Sequence, residues 1–413
     1  MELNKKQVEV MECVAIENPV ITVLSGAKRA GKTFILILIF LAKIAERKDQ
    51  NVEYIIGGAT QASIRRNVLN DMERILGKEL KIAKDGSIKI FGNKVYILDG
   101  SKSDSWKKAR GFTAYGALLN EGTSLNDMFV KECISRCSGE GARIYIDTNP
   151  ENPTHFVKKD YIDKSGEKLN NGQLNIKAFH FTLFDNDKLD PLYVESIVKS
   201  TPPGMFTDRD IYGKWVSAQG VIYSMYNPDK HLIKREDLKK YNIKRYFCGV
   251  DWGFQHYGVI NLCAMTDKGE VLFIKEYAET GKHIEYWLDI AKKIKKEYGD
   301  IFFYCDSARP EYVMAFQEAG IKAINANKSV LAGITEVATL LHNDKLLIVD
   351  EDVKLFKDEV YNYVWKEGTD EPIKAMDDSC DSLRYAIFTD AYYNERHRFT
   401  GDEDNTEDNR RRR

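Results

Sequence analysis

The sequence has no excess of positive charge. Its 61 lysine and arginine residues stand against 63 aspartate and glutamate residues, so that the formal net charge is −2. This balance excludes a global positive field that would draw the protein onto nucleic acid. Any contact with DNA must therefore come from local basic patches.

Paired cysteines and long apolar runs are also missing. The seven cysteines are an odd number, and none stands in a C-x-x-C pair with zinc spacing, which is typical of a protein of the reducing cytosol. Cys133 and Cys137 lie close together without a histidine pair nearby, so a metal role there is disfavoured. No apolar run reaches the roughly 18 residues of a membrane span, and residues 2–6 lack the pattern of a signal peptide. We expect a protein that is neither exported nor embedded in a membrane.

A chain of 413 residues with 43% apolar composition is too long to fold around one hydrophobic core of ordinary size. Its length predicts roughly two to three domains. Up to about residue 150, short apolar runs alternate with helical stretches. The predicted strands of this part are residues 20–25, 52–58, 94–98, 114–119 and 143–147. Such alternation is typical of an α/β domain with a largely parallel sheet.

The second half of the chain predicts a mixed-sheet α/β domain. An antiparallel meander is expected from the closely spaced strands 246–251, 259–266 and 271–277. Further strands, alternating with helices, are predicted at 301–306, 321–325 and 346–349, before a last helix over 379–393. Turn-forming residues at 200–204 and a charged segment at 234–245 mark the junction. We expect domains at 1–200 and 241–395, a linker at 201–240 and a disordered charged tail at 396–413.

A phosphate-binding loop follows the first predicted strand. Gly26-Ala-Lys-Arg-Ala-Gly-Lys-Thr33 matches the pattern G-x-x-x-x-G-K-[ST] and precedes a helical run, which is the context that the motif requires. The loop residues expected to bind nucleotide are Gly26, Ala27, Lys28, Arg29, Ala30, Gly31, Lys32 and Thr33. Lys32 would reach the β- and γ-phosphates, and the Thr33 hydroxyl would hold Mg²⁺.

A P-loop ATPase also needs an acid at the end of a neighbouring strand. The apolar run that begins at Tyr115 ends in Asn120-Glu121, and Glu121 is the predicted catalytic base. Asn120 stands where most such motifs carry aspartate. Magnesium would therefore be held through water by an amide rather than by a carboxylate.

Three further features of this domain have two interpretations each. Arg29 is either a cis arginine that stabilises charge on the γ-phosphate or a solvated loop cation. Arg110 is either a finger that reaches a neighbouring subunit or part of a basic turn that contacts DNA. Thr148 and Asn149 either sense the γ-phosphate and couple it to motion or form an ordinary exit from the strand.

Carboxylates end two strands of the second half and begin its last helix. Asp251 and Asp306 follow apolar strands, whereas Asp377, Asp378 and Asp381 lie at the helix start. Each aspartate alone is more often a turn residue or a helix cap. Together they suggest a ribonuclease H-like arrangement, because a phosphodiester nuclease needs oxygen ligands for Mg²⁺ or Mn²⁺. Asp378 and Asp381 would share one face of the helix.

These motifs together resemble the large terminase subunit of tailed bacteriophages and prophages, over nearly all of residues 1–395. The segments that carry the resemblance are Ser25-Gly-Ala-Lys-Arg-Ala-Gly-Lys-Thr33, Gly116-Ala-Leu-Leu-Asn-Glu121, Thr148-Asn-Pro150, Gly213-Lys-Trp215 with Gly220-Val-Ile-Tyr223, Val250-Asp-Trp-Gly253 and Asp378-Ser-Cys-Asp-Ser-Leu-Arg-Tyr-Ala386. Their order and spacing are specific.

The resemblance implies an α/β protein in which an ASCE-type P-loop ATPase domain precedes a ribonuclease H-like nuclease domain. It implies an ATP-driven translocase that pulls concatemeric double-stranded DNA into a procapsid and cuts it at initiation and termination. The implied partners are the small terminase subunit, the portal protein and further copies of the chain in a ring. ATP and Mg²⁺ would be the cofactors, with Mn²⁺ as an alternative in the nuclease site, and the host cytoplasm the location.

Site roles carry over where this sequence matches the family motifs. They assign nucleotide binding to Lys32 and Thr33, water activation to Glu121, coupling to Thr148 and Asn149, and nuclease metals to Asp251, Asp306 and Asp381. Gln7 stands where the family often has a glutamine that reads adenine. Asp378 stands where relatives carry His or Asp, and Asn120 departs from the usual aspartate.

Two other kinds of protein combine some of these features. A cellular helicase-nuclease or a transposition ATPase can pair a P-loop with an aspartate triad, but the Gly213-Lys-Trp215 segment argues against both. A nucleotide-dependent scaffold would bind DNA or capsid without catalysis. In a scaffold, the two acidic constellations would have no purpose.

Overall fold

The chain folds as two compact units that divide between Ser217 and Ala218. The computed structural model describes residues 2–111 and 113–400, with side chains through Tyr393. Residues 396–400, which the sequence assigned to a disordered tail, continue the last helix, since no proline or glycine interrupts it before Gly401. The rest of the predicted tail, residues 401–413, lies outside the described residues.

The first unit is built on a seven-stranded sheet. Its strands are β1 (Ile21–Gly26), β2 (Glu53–Gly58), β3 (Ser87–Ile90), β4 (Asn93–Asp99), β5 (Ala114–Leu119), β6 (Arg143–Thr148) and β7 (Ile176–Phe181). The spatial order is β3-β4-β2-β5-β6-β1-β7. All neighbouring pairs are parallel except the edge hairpin β3–β4. The five predicted strands and the largely parallel sheet are confirmed, whereas β3 and β7 were missed.

Helices cover this sheet, and short 3₁₀ and π turns lie in several of its connections. The helices are α1 (Lys5–Ile16), α2 (Lys32–Ala45), α3 (Gln61–Ile64), α4 (Asn70–Leu76), α5 (Asp127–Arg136), α6 (Pro191–Ser200) and α7 (Met205–Asp210). The π turn Arg65–Leu69 joins α3 to α4. Helix α2 packs deeply because Ile35, Ile37 and Phe40 are fully buried in the main apolar cluster. Its burial fixes the loop that precedes it.

Strand order brings three loops of the first unit to one edge. The parallel strand β6 lies between β1 and β5, which is the arrangement of an ASCE-type P-loop fold. The carboxyl ends of parallel strands meet at the same edge of a sheet, where ligands of α/β folds bind. The P-loop after β1, Asn120-Glu121 after β5 and the end of β6 are therefore neighbours.

The second unit is built on a mixed seven-stranded sheet. Its strands are β8 (Leu232–Ile233), β9 (Ile243–Asp251), β10 (Gly258–Thr266), β11 (Val271–Glu279), β12 (Phe302–Cys305), β13 (Lys322–Asn325) and β14 (Leu346–Val349). The order is β13-β12-β9-β10-β11-β14-β8. Strands β9, β10 and β11 form the predicted antiparallel meander, and the other pairs are parallel.

One long helix packs across the middle of this second sheet. The helices of the unit are α8 (Pro228–His231), α9 (Ile284–Tyr298), α10 (Pro310–Glu318), α11 (Val330–His342), α12 (Leu355–Glu359) and α13 (Asp378–Thr400). Helix α13 approaches β9 at Gly249, where a Cβ atom would lie 1.9 Å from the carbonyl oxygen of Ser382. The Ser382 hydroxyl donates a 3.0 Å hydrogen bond to the Gly249 carbonyl. Only glycine permits this approach, which brings the start of α13 close to the end of β9.

Among the described residues, no helix combines the length and the apolar character that crossing a membrane requires.

Candidate functional site

A cavity of about 430 Å³ opens at the carboxyl edge of the first sheet. Its walls come from the P-loop, the π turn before α4 and the ends of β5 and β6. The lining residues used below are Lys28, Arg29, Lys32, Thr33, Arg66, Asn67, Asn120, Glu121, Asp147 and Asn149. Basic and acidic groups thus face each other across a space that fits a small polar ligand.

Lys32 is buried at the base of this cavity. Its ammonium donates hydrogen bonds to the carbonyls of Gly26 at 2.8 Å and Ala27 at 2.6 Å, and to Oδ1 of Asn149 at 3.1 Å. Burial lowers the pKa of Lys32 to about 8. A phosphate in the cavity would stabilise the charged form, because it supplies the counter-charge that burial takes away.

The P-loop backbone leaves the start of α2 open. Gly31 has φ of 85° and caps α2 without a side-chain hydrogen bond, so the first N–H groups of the helix face the loop. A helix N-terminus with free N–H groups favours anions. Loop and lysine together form the phosphate-binding arrangement that the sequence motif predicts.

The Thr33 hydroxyl, which the sequence predicts to bind magnesium, contacts a carboxylate that the sequence motifs did not single out. Thr33 Oγ1 donates a 2.8 Å hydrogen bond to Oδ2 of Asp147. The Asn120 amide nitrogen lies 3.1 and 3.2 Å from the two carboxylate oxygens of Asp147. Asp147 is buried on β6, and that burial raises its pKa.

Glu121 follows β5 in a strained backbone conformation. Its φ of 55° lies in the left-handed region, which non-glycine residues adopt at a cost and which often marks a functional position. Asn67 donates to Oε1 of Glu121 and to Oδ1 of Asn120, both at 3.2 Å. Burial and the nearby charge of Asp147 raise the pKa of Glu121. A higher pKa makes the carboxylate a better proton acceptor.

The predicted arginines lie in different places. Arg29 lines the cavity, and its guanidinium lies 5.3 Å from the centre of the Tyr193 ring. Arg110 is exposed and stacks on Trp106 at 4.0 Å, and it does not line the cavity. Arg66, which sequence reasoning missed, lines the cavity from the π turn. Nothing in the sequence around Arg66 marks it, because its position depends on the packing of that turn.

Thr148 and Asn149 connect the P-loop with the loop of Glu121. Asn149 accepts a hydrogen bond from Lys32, as described above, whereas Thr148 Oγ1 accepts the backbone N–H of Thr123 at 3.1 Å. Thr123 lies two residues after Glu121. The pair therefore contacts both the P-loop and the loop of Glu121, and its coupling role stays a prediction.

Gln7 is buried against the P-loop. Its Nε2 donates to the carbonyl of Gly31 at 3.1 Å, and its Oε1 accepts the N–H of Asn4 at 3.1 Å in the capping box of α1. Both ends of the amide are thus engaged. Its role as a reader of adenine stays a prediction.

The Gly213-Lys-Trp215 segment braces the strand that leads into the P-loop. Trp215 Nε1 donates a 2.8 Å hydrogen bond to Oγ of Ser25. A Cβ atom on Gly213 would lie 2.2 Å from the carbonyl of Phe181 and 2.8 Å from Cα of Gly26. The glycine and the tryptophan of this motif are therefore both explained by contact with β1 and β7.

In the second unit, the predicted carboxylates gather at the end of β9. Asp251 ends β9, Asp306 follows β12, and Asp381 lies in the first turn of α13. Burial, together with the charges of Asp381 and Asp306, holds the pKa of Asp251 well above its ordinary value. The three side chains therefore lie within electrostatic reach of one another.

Cationic side chains pair with these carboxylates. Lys328 contacts Oδ1 of Asp306 at 2.5 Å, and Lys374 contacts Oδ2 of Asp381 at 2.8 Å. Arg384, buried on α13, contacts Oδ1 of Asp381 at 2.9 Å. Although burial acts to raise it, the charges of Arg384 and Lys374 hold the pKa of Asp381 below its ordinary value.

Within the part of the chain that the structure describes, no group of three or more His, Cys, Asp or Glu side chains is arranged as a metal-ligating set. The donor chemistry nonetheless fits a hard divalent cation, because the carboxylates of Asp251, Asp306 and Asp381 are oxygen ligands in a buried, negatively charged cluster. Lys328, Lys374 and Arg384 supply positive charge beside that cluster. Metal binding at this position would require the two ammonium groups to move.

The other acids near α13 have different surroundings. Asp378 lines a neighbouring cavity of about 490 Å³ with His256 and Arg309, whereas Asp377 pairs with Lys374 at 3.2 Å. Glu359, which sequence reasoning missed, accepts the N–H groups of residues 379 and 380 at 2.8 and 3.1 Å. Burial raises the pKa of Glu359 to about 8. It caps the start of α13 and so positions Asp381.

Comparison with known proteins agrees with this arrangement. Residues 23–227 match the family described as terminase large subunit, T4likevirus-type, N-terminal. No curated protein matches the chain. The large terminase of a thermophilic bacteriophage, in complex with ADP, is 28% identical, with a TM-score of 0.80 over 95% of this chain and 100% of that chain. The same protein in complex with ATP-γ-S is 27% identical, with a TM-score of 0.79 over 94% of this chain and 99% of that chain.

The likeness extends over both units and confirms the predicted fold class, an α/β chain with a P-loop ATPase fold followed by a ribonuclease H-like nuclease fold. The family match covers the P-loop, Glu121 and the Gly213-Lys-Trp215 segment. The sequence motifs, the two folds and the similarity to the thermophilic phage protein all point to the same family. The chain therefore belongs to the large terminase subunits of bacteriophages.

Proposed function

We propose that this chain hydrolyses ATP to drive double-stranded DNA into a viral procapsid and cuts that DNA with a metal-dependent nuclease. One observation carries the proposal. A single cavity brings together a buried lysine on a phosphate-binding loop, the Thr33 hydroxyl and the strained acid Glu121. The carboxylate cluster of the second unit supports the nuclease half.

In the ATPase half, several polar groups of the cavity have a role. Lys32 binds the β- and γ-phosphates, and its buried ammonium gains the counter-charge that it lacks. Glu121 orients a water molecule for attack and accepts its proton, a task that its raised pKa favours. Asn149 contacts Lys32, and Thr148 contacts the loop of Glu121. Through these contacts, loss of the γ-phosphate would change the position of that loop. Lys28, Arg29 and Arg66 are further cations of the same chain that line the cavity.

In the nuclease half, Asp251, Asp306 and Asp381 hold Mg²⁺ or Mn²⁺. Two such ions, when bound, activate water and stabilise the leaving oxygen of the phosphodiester. Tyr363 and Arg384 fix Asp381 from its buried side, with a hydrogen bond of 3.1 Å and an ion pair of 2.9 Å. Glu359 holds the helix turn on which Asp381 lies.

The cofactors and partners follow from the family and from the complexes of the thermophilic phage terminase with ADP and ATP-γ-S. ATP with Mg²⁺ occupies the first unit. Double-stranded DNA, the small terminase subunit, the portal protein and further copies of this chain in a ring are the partners. The host cytoplasm is where these partners meet.

Purified protein mixed with plasmid DNA tests both halves at once. We expect DNA to stimulate ATP hydrolysis, and we expect plasmid cutting in Mg²⁺ or Mn²⁺ that stops in EDTA. The assay is run with and without ATP, so that cutting and hydrolysis are scored separately. A protein that binds nucleotide and DNA but neither hydrolyses nor cuts would be the scaffold described above.

Arg110 provides a test of action between subunits. It is exposed and lies outside the cavity of its own chain, so we expect it to reach the nucleotide of a neighbour. Arg110→Ala mixed with Glu121→Gln should then recover ATPase activity in assembled rings, because each variant supplies what the other lacks. Lys32→Ala mixed with Glu121→Gln is the control, since both defects lie in the variant's own cavity. Absence of recovery at every mixing ratio would favour contact with DNA.

A further inference from the structure

Asn120 stands where a P-loop ATPase usually presents the carboxylate that holds Mg²⁺, so the first unit needs that carboxylate from elsewhere. Asp147 lies on β6, the strand between the P-loop strand β1 and the strand β5 that leads to Asn120. It is only 3% exposed and lines the nucleotide cavity. Its position is thus adjacent both to the loop that binds phosphate and to the residue that lacks the charge.

Contacts within the cavity give Asp147 the place of a metal ligand. One of its oxygens accepts the hydroxyl of Thr33 at 2.8 Å, and that hydroxyl is the group through which a P-loop holds Mg²⁺. Two groups in direct contact can share one cation as neighbouring ligands. Mg²⁺ is bound in this way by one or two carboxylates together with phosphates and water.

The orientation of Asn120 argues against a role as the ligand. Its amide nitrogen faces both oxygens of Asp147 at 3.1 and 3.2 Å, and a carboxylate accepts hydrogen bonds but cannot donate them. Its amide oxygen accepts a hydrogen bond from Asn67. Because only the oxygen could ligate a hard cation, Asn120 presents the wrong atom. Its contacts are those of a residue that orients Asp147.

We propose that Asp147 holds the Mg²⁺ of the bound nucleotide and that Asn120 positions it. The carboxylate thus lies on β6 rather than on the neighbouring strand β5, and the amide at the end of β5 holds it in place. This inference rests on the proposed ATPase function and names a ligand within that same site. Carboxylate and hydroxyl oxygens are the donors that Mg²⁺ prefers.

The test is calorimetric titration of the full chain with ADP and with ATP-γ-S, each in Mg²⁺ and in EDTA. For the unsubstituted protein, Mg²⁺ should tighten binding. Asp147→Asn should remove most of that gain, by about tenfold or more, while affinity in EDTA is retained. Asp99→Asn is the matched control, because Asp99 ends strand β4 of the same sheet, pairs with Lys108 and lies outside the cavity. It should keep the full effect of Mg²⁺.

Two further variants keep the result decisive even if Asp147→Asn does not fold. Asn120→Ala should reduce the gain in affinity from Mg²⁺ less than Asp147→Asn does, because it removes a residue that orients the ligand and leaves the ligand itself in place. The exchange Asn120→Asp with Asp147→Asn restores a carboxylate to β5 and should recover the gain. A gain retained in Asp147→Asn, a larger loss of the gain in Asn120→Ala than in Asp147→Asn, or no recovery in the exchange variant would overturn the assignment. Failure of the unsubstituted protein to bind either nucleotide would instead contradict the ATPase function itself.

Discussion

Lys32→Ala is expected to lose ATP turnover to the background of the assay. The reason is electrostatic, because Lys32 is the buried cation among the loop carbonyls, and alanine leaves the β- and γ-phosphates without it. The measurement is phosphate release with saturating ATP and DNA. Lys43→Ala, on the same helix but paired with Glu46, is the matched control and should hydrolyse ATP normally. Turnover at the normal rate in Lys32→Ala would remove the P-loop assignment.

Glu121→Gln should separate binding from hydrolysis. Glutamine keeps the size of the side chain and a partner for Asn67, but it cannot accept the proton of the attacking water. We expect ATP-γ-S affinity close to normal and a fall in hydrolysis of about 10²- to 10⁴-fold, which is the range for loss of a general base. An equal loss of binding would mean that Glu121 holds the nucleotide rather than activating water.

The parts of the fold that could be predicted are those that local patterns encode. The P-loop motif lies between an apolar strand and an apolar helix, so its position and its context are both written in consecutive residues. The meander β9–β11 could be predicted equally well, since its strands are separated by short turns. Strands β3 and β7 were missed because they lie at or near the sheet edges, where lysine and histidine interrupt the apolar pattern.

Contacts between distant strands explain what the sequence could not reveal. Asp147 precedes the recognisable Thr148-Asn149 pair. Its contact with Thr33, which lies 114 positions earlier in the sequence, depends on the pairing of β6 with β1. Glu359 lies in a short helix with no motif around it, and only its packing shows that it caps α13. Gly249 belonged to a predicted strand, but its contact with Ser382 could not be predicted, because it depends on how α13 packs against β9.

The cationic partners of the nuclease cluster are a second feature beyond sequence reasoning. Lys328 lies in the loop before α11, and Lys374 lies in the loop before α13. Neither has a motif, yet each contacts one of the predicted metal ligands. Like-charged groups as close as Asp251, Asp306 and Asp381 need a cation nearby. The two lysines therefore support the clustering of the acids that the sequence predicted from strand ends and a helix start.

Each of Asp251→Ala, Asp306→Ala and Asp381→Ala is expected to eliminate plasmid cutting, while ATP hydrolysis by the first unit stays near normal. Loss of one carboxylate from a set that must hold two ions removes a ligand that no neighbouring side chain replaces. EDTA should likewise eliminate plasmid cutting by the unsubstituted protein. Mn²⁺ added afterwards should restore cutting better than Mg²⁺ does, because Mg²⁺ demands nearly ideal octahedral geometry.

Acids nearby serve as graded controls for this result. Asp378→Ala should weaken cutting less than Asp381→Ala, because Asp378 faces the neighbouring cavity whereas Asp381 is buried beside Tyr363 and Arg384. Asp377→Ala should matter least, since Asp377 precedes the first residue of α13 and its carboxylate pairs with Lys374. Thermal unfolding of each variant checks that the second unit remains folded. Plasmid cutting that survives Asp251→Ala in the full chain would show that another set of side chains holds the metal, since Asp251 lies at the end of β9, where the predicted ligands gather.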